Sequence, residues 1–202
     1  MPEKQSSIAR GEKDGQEPGR GIAVLLPGIG YTCDRPLLYY SGRLAASLGW
    51  EVLPVRYEGF PAKVRGDRER LMQSAELAVE KTEALLETVD WTQYERILFV
   101  SKSIGTVAAV AYAARHGLDC RHILFTPLEI TFRYPVRQGI AFHGTADPWA
   151  ETQRIQSLCE GSATPLYITE NANHSLETSD VLRNIQILET VMGQVQQFMT
   201  TP

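Results

Sequence analysis

A serine, an aspartate and a histidine stand in sequence contexts that suit nucleophilic catalysis. Ser103 lies in the segment Ser-Lys-Ser-Ile-Gly-Thr, after an apolar run at 96–100 and before a small-residue helix predicted at 107–115. A serine hydroxyl is a weak nucleophile until a neighbouring base takes its proton, and a tight strand-to-helix turn presents it to that base. We predict that Ser103 is the nucleophile. Ser101 is the competing candidate, but it lies at the strand end rather than at the turn.

His174 is the candidate general base. It lies in a polar loop just after the last predicted strand, in the segment Asn-Ala-Asn-His. The other three histidines have structural interpretations. His116 falls near a helix carboxyl terminus, where positive charge is favoured. His122 begins a strand, and His143 ends the strand before the candidate acid and orders that loop.

Asp147 is the candidate third member of the set. It follows a predicted strand in His-Gly-Thr-Ala-Asp-Pro, and a buried carboxylate there would fix the tautomer of the imidazole and stabilise its protonated form. An Asp-Pro pair is also a common turn initiator, and Glu170 and Asp119 are possible substitutes. The chain order Ser103, Asp147, His174 is one of the known orders of a catalytic triad.

The glycine-containing segment 27–31, Pro-Gly-Ile-Gly-Tyr, follows the first predicted strand. Stabilising an oxyanion needs two backbone N–H groups directed at one point, and glycines let the backbone approach a substrate. We predict that the donors are the N–H groups of Ile29 and Ile104. A phosphate-binding loop is the alternative, but the segment has no third glycine at the offset of the dinucleotide motif.

The elements that must position these residues are strands and helices in alternation. Apolar runs predict six strands, and the segments between them predict helices, which indicates a doubly wound, mainly parallel six-stranded α/β sheet with helices on both faces. The predicted strands are 21–26, 51–57, 96–100, 122–126, 139–143 and 165–169, and the predicted helices are 37–48, 67–89, 107–115, 151–159 and 180–199.

The composition is that of an ordinary globular protein. The chain has 202 residues, 43% hydrophobic and 22% charged, with a formal net charge of −4. This charge predicts neither a nucleic-acid partner nor an anionic membrane partner, and no apolar run approaches the ~20 residues that span a bilayer. Three cysteines without metal-like spacing favour free thiols, no metal site and a cytoplasmic location. We expect a disordered tail at 1–20 and one domain at 21–202.

Taken together and in order, these motifs resemble the α/β-hydrolase superfamily, in particular its small dienelactone-hydrolase-like bacterial members. The resemblance covers about residues 21–199 and rests on the elbow at 101–106, the segment at 27–31, and the motifs His-Gly-Thr-Ala-Asp-Pro and Asn-His-Ser-Leu-Glu. It implies the roles already given to Ser103, His174 and Asp147, an oxyanion hole formed by Ile29 and Ile104, and no cofactor. It also implies a minimal core that lacks the first two strands of the full family sheet.

The interval in which such proteins often carry a cap spans only 127–138 here, too short for a helical cap. We therefore expect an open site. The predicted lining residues are Tyr31, Leu37, Leu128, Phe132 and Trp149, of which Phe132 and Trp149 have plain packing as an equal interpretation.

The expected function is hydrolysis of a small or medium carboxylic ester or thioester. Acyl transfer or lactone opening on the same residues, and a non-catalytic binding protein that kept the fold, are the alternatives. The sequence leaves the acyl group, the leaving group and the oligomeric state open.

Overall fold

The computed structural model describes residues 19–61, 64 and 67–201. Within these residues the strands are Gly21–Leu26 (β1), Glu51–Pro54 (β2), Arg96–Lys102 (β3), Arg121–Phe125 (β4), Gly139–Gly144 (β5) and Leu166–Thr169 (β6). All neighbouring strands are parallel, in the order β2-β1-β3-β4-β5-β6. All but the last two positions of the tail predicted at 1–20 lie outside the described residues, as do positions 62, 63, 65, 66 and 202 of the domain predicted at 21–202.

Helices cover both faces of this sheet, which explains why its central strands are continuous apolar runs. The helices are Pro36–Ser47 (α1), Arg68–Leu86 (α2), Ile104–His116 (α3), Thr152–Gly161 (α4) and Val181–Thr200 (α5). Alternate residues of the strands pack against α1 and α5 on one face and against α2, α3 and α4 on the other. The predicted α/β class, the six parallel strands and the two helical layers are confirmed.

The element boundaries differ from the predicted ones for local reasons. Strand β2 ends at Pro54, although the Val55 N–H still donates to the Leu25 carbonyl of β1 at 2.9 Å. Strand β3 extends past the predicted end because Ser101 and Lys102 still pair with β4. Helix α2 begins one residue late because Asp67 is its N-cap, where the carboxylate accepts from the Arg70 N–H at 3.0 Å.

The strand order reverses at β1, which lies between β2 and β3 although β2 follows it in sequence. In open α/β sheets, ligands bind outside the carboxyl ends of the strands at such a switch point. The loops after β1 and β3 meet there, and they carry the segment 27–31 and the elbow.

Nothing in the described part of the chain roofs this edge with a separate cap. The interval 127–138 contains only a short 3₁₀ helix, Glu129–Arg133. Among residues 19–61, 64 and 67–201, no helix combines the length and the apolar character that crossing a bilayer requires. No strand precedes β1 in these residues.

Candidate active site

Ser103 lies at the apex of the turn between β3 and α3. Its φ of 55° and ψ of −122° fall in a region that residues other than glycine seldom adopt, and such a conformation costs about 1–3 kcal/mol. Two hydrogen bonds hold the turn: the Ser103 N–H donates to the Phe125 carbonyl at 3.1 Å, and the Thr106 N–H donates to the Ser103 carbonyl at 2.9 Å. The half-buried hydroxyl therefore projects at the carboxyl edge of the sheet.

Two glycines permit the close approach of backbone segments that this turn requires. A Cβ on Gly105 would lie against the carbonyl oxygens of Leu26 and Pro27, far inside van der Waals contact. A Cβ on Gly28 would lie 3.0 Å from the Cβ of Ser103. The segment after β1 can pack directly on the nucleophile turn only because both positions lack a side chain.

The three predicted residues form one continuous hydrogen-bonded chain. His174 Nε2 lies 2.8 Å from Ser103 Oγ, and His174 Nδ1 lies 2.7 Å from Asp147 Oδ2. Their loops follow β3, β5 and β6, which end at the same edge of the parallel sheet. The Nδ1–H tautomer donates to Asp147 and leaves Nε2 free to accept the proton of Ser103.

The Asp147 carboxylate is fixed on both oxygens. Its side chain is fully buried, and Oδ1 accepts from the Trp149 N–H at 2.9 Å while Oδ2 faces His174. His143 Nδ1 lies 3.9 Å from the same Oδ2, and its Nε2 lies 3.1 Å from Thr152 Oγ1. The carboxylate therefore sits between two imidazoles and can orient the ring of His174.

The protonation of His174 follows from this environment. Burial lowers its pKa, the hydrogen bond to Asp147 raises it, and the positive charge of Lys102 lowers it again. The net effect is a pKa below the ordinary imidazole value, so the ring is neutral at pH 7. A neutral imidazole is the form that can act as a general base.

The predicted oxyanion donors are both available for a ligand. The turn at 28–31 is closed by reciprocal backbone hydrogen bonds between Gly28 and Tyr31, at 3.1 and 3.3 Å. Within the described residues, neither the Ile29 N–H, inside that turn, nor the Ile104 N–H, at the start of α3, donates to a protein acceptor. Ile29 is 38% exposed.

Sequence reasoning gave no role to Lys102, which precedes the nucleophile and is only 1% exposed. Its Nζ donates to Thr126 Oγ1 at 3.1 Å and lies 4.8 Å from the centre of the Tyr31 ring. Thr126 Oγ1 in turn donates to the backbone carbonyl of His174 at 3.0 Å. A single buried ammonium thus connects the loops after β1, β4 and β6.

The environment of this lysine is electrostatically unusual. Burial lowers the pKa of Lys102 to about 7, against the opposing influence of Asp147 and Glu177. The signal in the sequence was a charged residue at the end of an otherwise buried strand. Thr126, its partner, has a φ of 43°, which the sequence did not indicate.

The alternatives to the predicted residues lie elsewhere. Ser101 is fully buried within β3, and its hydroxyl donates to the Ile123 carbonyl at 3.3 Å. Asp119 precedes β4 at the opposite edge of the sheet. Glu170 is exposed and accepts from Thr145 Oγ1 at 3.3 Å. None of the three contacts His174.

Two cavities flank the candidate site, and only one of them is lined by residues that the sequence predicted. A cavity of about 520 Å³, here called the α1 cavity, lies between the segment after β1, α1 and the end of β2. A cavity of about 370 Å³, the Trp149 cavity, is lined by Leu128 and Trp149. Tyr31 and Leu37 are instead buried in the core against α5, and Phe132 packs against the core beside α4, so these three line neither cavity.

Solved structures similar to this one share its fold at low sequence identity. An α/β serine hydrolase homologue from Coxiella burnetii has a TM-score of 0.63 and 16% identity, over 90% of this chain and 87% of that chain. An esterase from Pyrococcus furiosus has a TM-score of 0.62 and 15% identity, over 90% and 83%. A lidless α/β serine hydrolase from Xanthomonas campestris has a TM-score of 0.57 and 16% identity, over 94% and 88%.

Comparison of the amino-acid sequence with known families and proteins does not assign this chain to a family. No family model matches the chain, and no curated protein matches it. The similarity to these structures is therefore one of fold: the described residues form six parallel strands, with a strained serine after β3 and no cap before β5. The chain has the α/β-hydrolase fold in its capless form.

Proposed function

We propose that this protein is a serine hydrolase that cleaves a small or medium carboxylic ester or thioester. The observation that carries the proposal is the chain Ser103–His174–Asp147, with contacts of 2.8 and 2.7 Å beside two unpaired backbone amides. The hydrolases and esterases among the similar structures support the same reaction class. The sequence independently placed these three residues in the same roles.

Acylation uses the hydrogen bonds already formed. His174 Nε2 takes the proton of Ser103 as Oγ forms a bond to the carbonyl carbon, and the carbonyl π pair moves onto oxygen. The Ile29 and Ile104 N–H groups donate to that oxyanion, an interaction for which each donor contributes about 3 kcal/mol. The tetrahedral intermediate collapses, the bond to the leaving oxygen or sulfur breaks, and His174 gives that atom its proton.

Deacylation repeats these steps with water. His174 takes a proton from the water as its oxygen attacks the acyl-enzyme, and the bond to Ser103 Oγ then breaks while His174 returns the proton to Oγ. The products are a carboxylic acid and the free enzyme. Asp147 orients the imidazole of His174 and stabilises its protonated form.

Hydrolysis is favoured over acyl transfer because nothing in the described chain caps the site to exclude water. Acyl transfer and lactone opening use the same residues and differ only in the acceptor or the ring. Product analysis in the presence of a competing alcohol or thiol separates them. An ester product at millimolar acceptor would favour transfer.

We place this activity in the cytoplasm. All three cysteines of the chain, Cys33, Cys120 and Cys159, are free thiols, and two of them are buried. Free thiols are typical of reducing compartments. Cell fractionation with an antibody against the native protein tests the location.

The test of the reaction is hydrolysis of 4-nitrophenyl esters by wild type, Ser103→Ala and Ser101→Ala. We expect Ser103→Ala to lose at least about 10³-fold in kcat, and Ser101→Ala to stay within about threefold of wild type because its hydroxyl does not reach His174. Wild-type turnover that survives in Ser103→Ala would overturn the proposal. No turnover by a folded wild type would favour the non-catalytic binding protein.

A further inference from the structure

The two cavities beside Ser103 differ in which catalytic group they adjoin. The α1 cavity, of about 520 Å³, reaches Gly28 and Gly30, in the turn that carries the Ile29 amide. The Trp149 cavity, of about 370 Å³, is lined by Trp149, whose ring centre lies 5.7 Å from that of His174. One cavity therefore adjoins the oxyanion side of the nucleophile and the other adjoins the base.

The chemistry of acylation gives these two sides different occupants. His174 must hand its proton to the leaving oxygen or sulfur, so the leaving group lies on the side of His174. The carbonyl oxygen points at the two amides, and the acyl chain extends away from the base. With the carbonyl carbon held at Ser103, the α1 cavity is the one of the two that can receive the acyl chain, because the Trp149 cavity adjoins the base.

We infer, on the basis of the proposed function, that the α1 cavity binds an apolar acyl chain of medium length and that the Trp149 cavity binds the leaving group. The assignment makes acyl specificity a property of α1 and leaving-group specificity a property of the loop after β5.

The walls of the α1 cavity suit an apolar chain. Leu25 and Val55 are 4% exposed and form part of its floor. The thiol of Cys33 is already satisfied, because it donates to the carbonyls of Leu25 and Val55, at 3.6 and 3.4 Å. The Cys33 thiol therefore adds no unsatisfied polar group to this part of the wall.

Aromatic and charged side chains form the rest of the α1 cavity lining. Tyr57 and Phe60 form an edge-to-face pair there, with ring centres 5.5 Å apart. The charged lining residues are all exposed side chains and balance one another, two acidic and two basic: Asp34, Glu58, Arg43 and Arg56. Because these charges balance, the rim does not favour a charged acyl group. The apolar interior is then what selects the acyl chain.

One face of α1 borders the cavity and supplies a site for testing the assignment. Tyr39, Gly42, Arg43 and Ala46 follow the spacing of a single helical face. Ala46 is an exposed residue on that face, so a larger side chain there can fill the cavity without disturbing the core. Ser47 is the next residue, equally exposed, and does not line the cavity.

The experiment measures kcat/KM for 4-nitrophenyl acetate, butanoate, hexanoate and octanoate. For wild type we expect a rise of about fourfold per added methylene, the fold-change equivalent of burying one methylene group. In Ala46→Phe the octanoate-to-acetate ratio should fall at least tenfold. In Ser47→Phe, the matched control, the ratio should equal that of wild type.

A second series varies the alcohol of acetate esters and uses Met72→Phe, which narrows the Trp149 cavity. This variant should weaken the preference for longer alcohols and leave the acyl ratio as in wild type. An active enzyme whose acyl ratio falls in Met72→Phe but not in Ala46→Phe would overturn the assignment and leave the proposed function intact. A folded wild type that hydrolyses no ester would overturn both.

Discussion

The two edges of the sheet use their polar side chains differently. At the amino edge, Arg96 donates twice to the Gly19 carbonyl, at 3.1 and 2.9 Å, and Arg121 donates to the carbonyls of Phe198 and Thr201, at 2.6 and 2.7 Å. The first pair of bonds holds Gly19 against the start of β3, and the second pair holds the end of α5 against the start of β4. At the carboxyl edge, the polar groups face one another around an open surface.

Backbone strain follows the same division. Five described residues other than glycine have positive φ, and four of them, Ser103, Thr126, Asn171 and Leu176, lie in loops after the carboxyl ends of strands. The exception, Ala163, precedes β6. Strain of this kind persists where the surrounding structure over-determines it, and it is characteristic of sites that hold reactive groups.

Two buried histidines show what the difference means for chemistry. His122, at the amino end of β4, stacks on Phe99 with ring centres 5.7 Å apart, lies 3.4 Å from the Cys120 thiol and has no carboxylate partner. His174 has both a carboxylate and a hydroxyl partner. Burial alone produces a neutral core histidine, whereas burial between an acid and an alcohol produces a candidate base.

The largest effect that tests this comparison is expected from Asp147→Asn. An amide cannot hold His174 in the Nδ1–H tautomer, so Nε2 no longer accepts the proton of Ser103. We expect kcat for ester hydrolysis to fall about 10³- to 10⁴-fold at pH 7. Glu170→Gln, which removes an exposed carboxylate at the same edge, should leave kcat within twofold. A loss below tenfold in Asp147→Asn would mean that this carboxylate only shapes its loop.

A smaller effect is expected from Lys102→Met, which should make the protein more stable but less active. The folded-state pKa of about 7, against 10.5 for a free lysine, means that the unfolded chain binds more protons. Lys102 therefore lowers the free energy of unfolding of the wild type below pH 7, and this destabilisation disappears as the pH rises from about 7 to about 10.5. We expect the variant to be more stable at pH 6 by about 2–4 kcal/mol, after allowing for the lost contacts.

The same variant should be less active. Without the ammonium, Thr126 Oγ1 no longer accepts a hydrogen bond from Lys102 and holds the His174 carbonyl less firmly. Because His174 is then less well positioned, kcat/KM should fall about tenfold. The pH at which activity is lost in acid should rise, because the charge of Lys102 lowers the pKa of His174. Denaturation and pH–rate profiles measure both, with Lys81→Met as the control. A destabilised variant with an unmoved pH profile would make Lys102 a structural residue.

The smallest effect is expected at the amino edge, from His122→Phe. Burial lowers the pKa of His122 to about 4, from 6.5. The folded state thus resists protonation, and the contribution of this histidine to stability is lost as the pH falls from 6.5 towards 4. The variant should match wild-type stability at pH 7 and exceed it by about 2–3 kcal/mol at pH 4.5. Urea denaturation at both pH values measures this difference. A change in kcat would mean that His122 also contributes to the reaction.

Much of the fold could be predicted because buried parallel strands leave a strong pattern in sequence. The run 21–26 is apolar at every position, and its six residues are all buried. Since parallel strands end at one edge, the residues just after β3, β5 and β6 could be expected to share that edge. The structure places Ser103, Asp147 and His174 within hydrogen-bonding distance there.

Features that depend on tertiary neighbours could not be predicted in this way. The burial of Lys102 depends on Tyr31 and Thr126, which are distant in sequence. The lining of the α1 cavity depends on which face of α1 turns towards β2: Leu37 was predicted to line a pocket, yet it packs in the core, while Ala46 borders the cavity. Side-chain direction on a helix is set by its packing, which the composition of the segment does not report.

Covalent labelling would show whether Ser103 is an activated nucleophile. Wild type, Ser103→Ala and Ser101→Ala would each be incubated with a fluorophosphonate probe, and the intact mass and the modified peptide would be measured. We predict one adduct on wild type and on Ser101→Ala, mapped to Ser103, and none on Ser103→Ala. A folded wild type without an adduct, or an adduct that persists in Ser103→Ala, would mean that Ser103 is not the activated nucleophile.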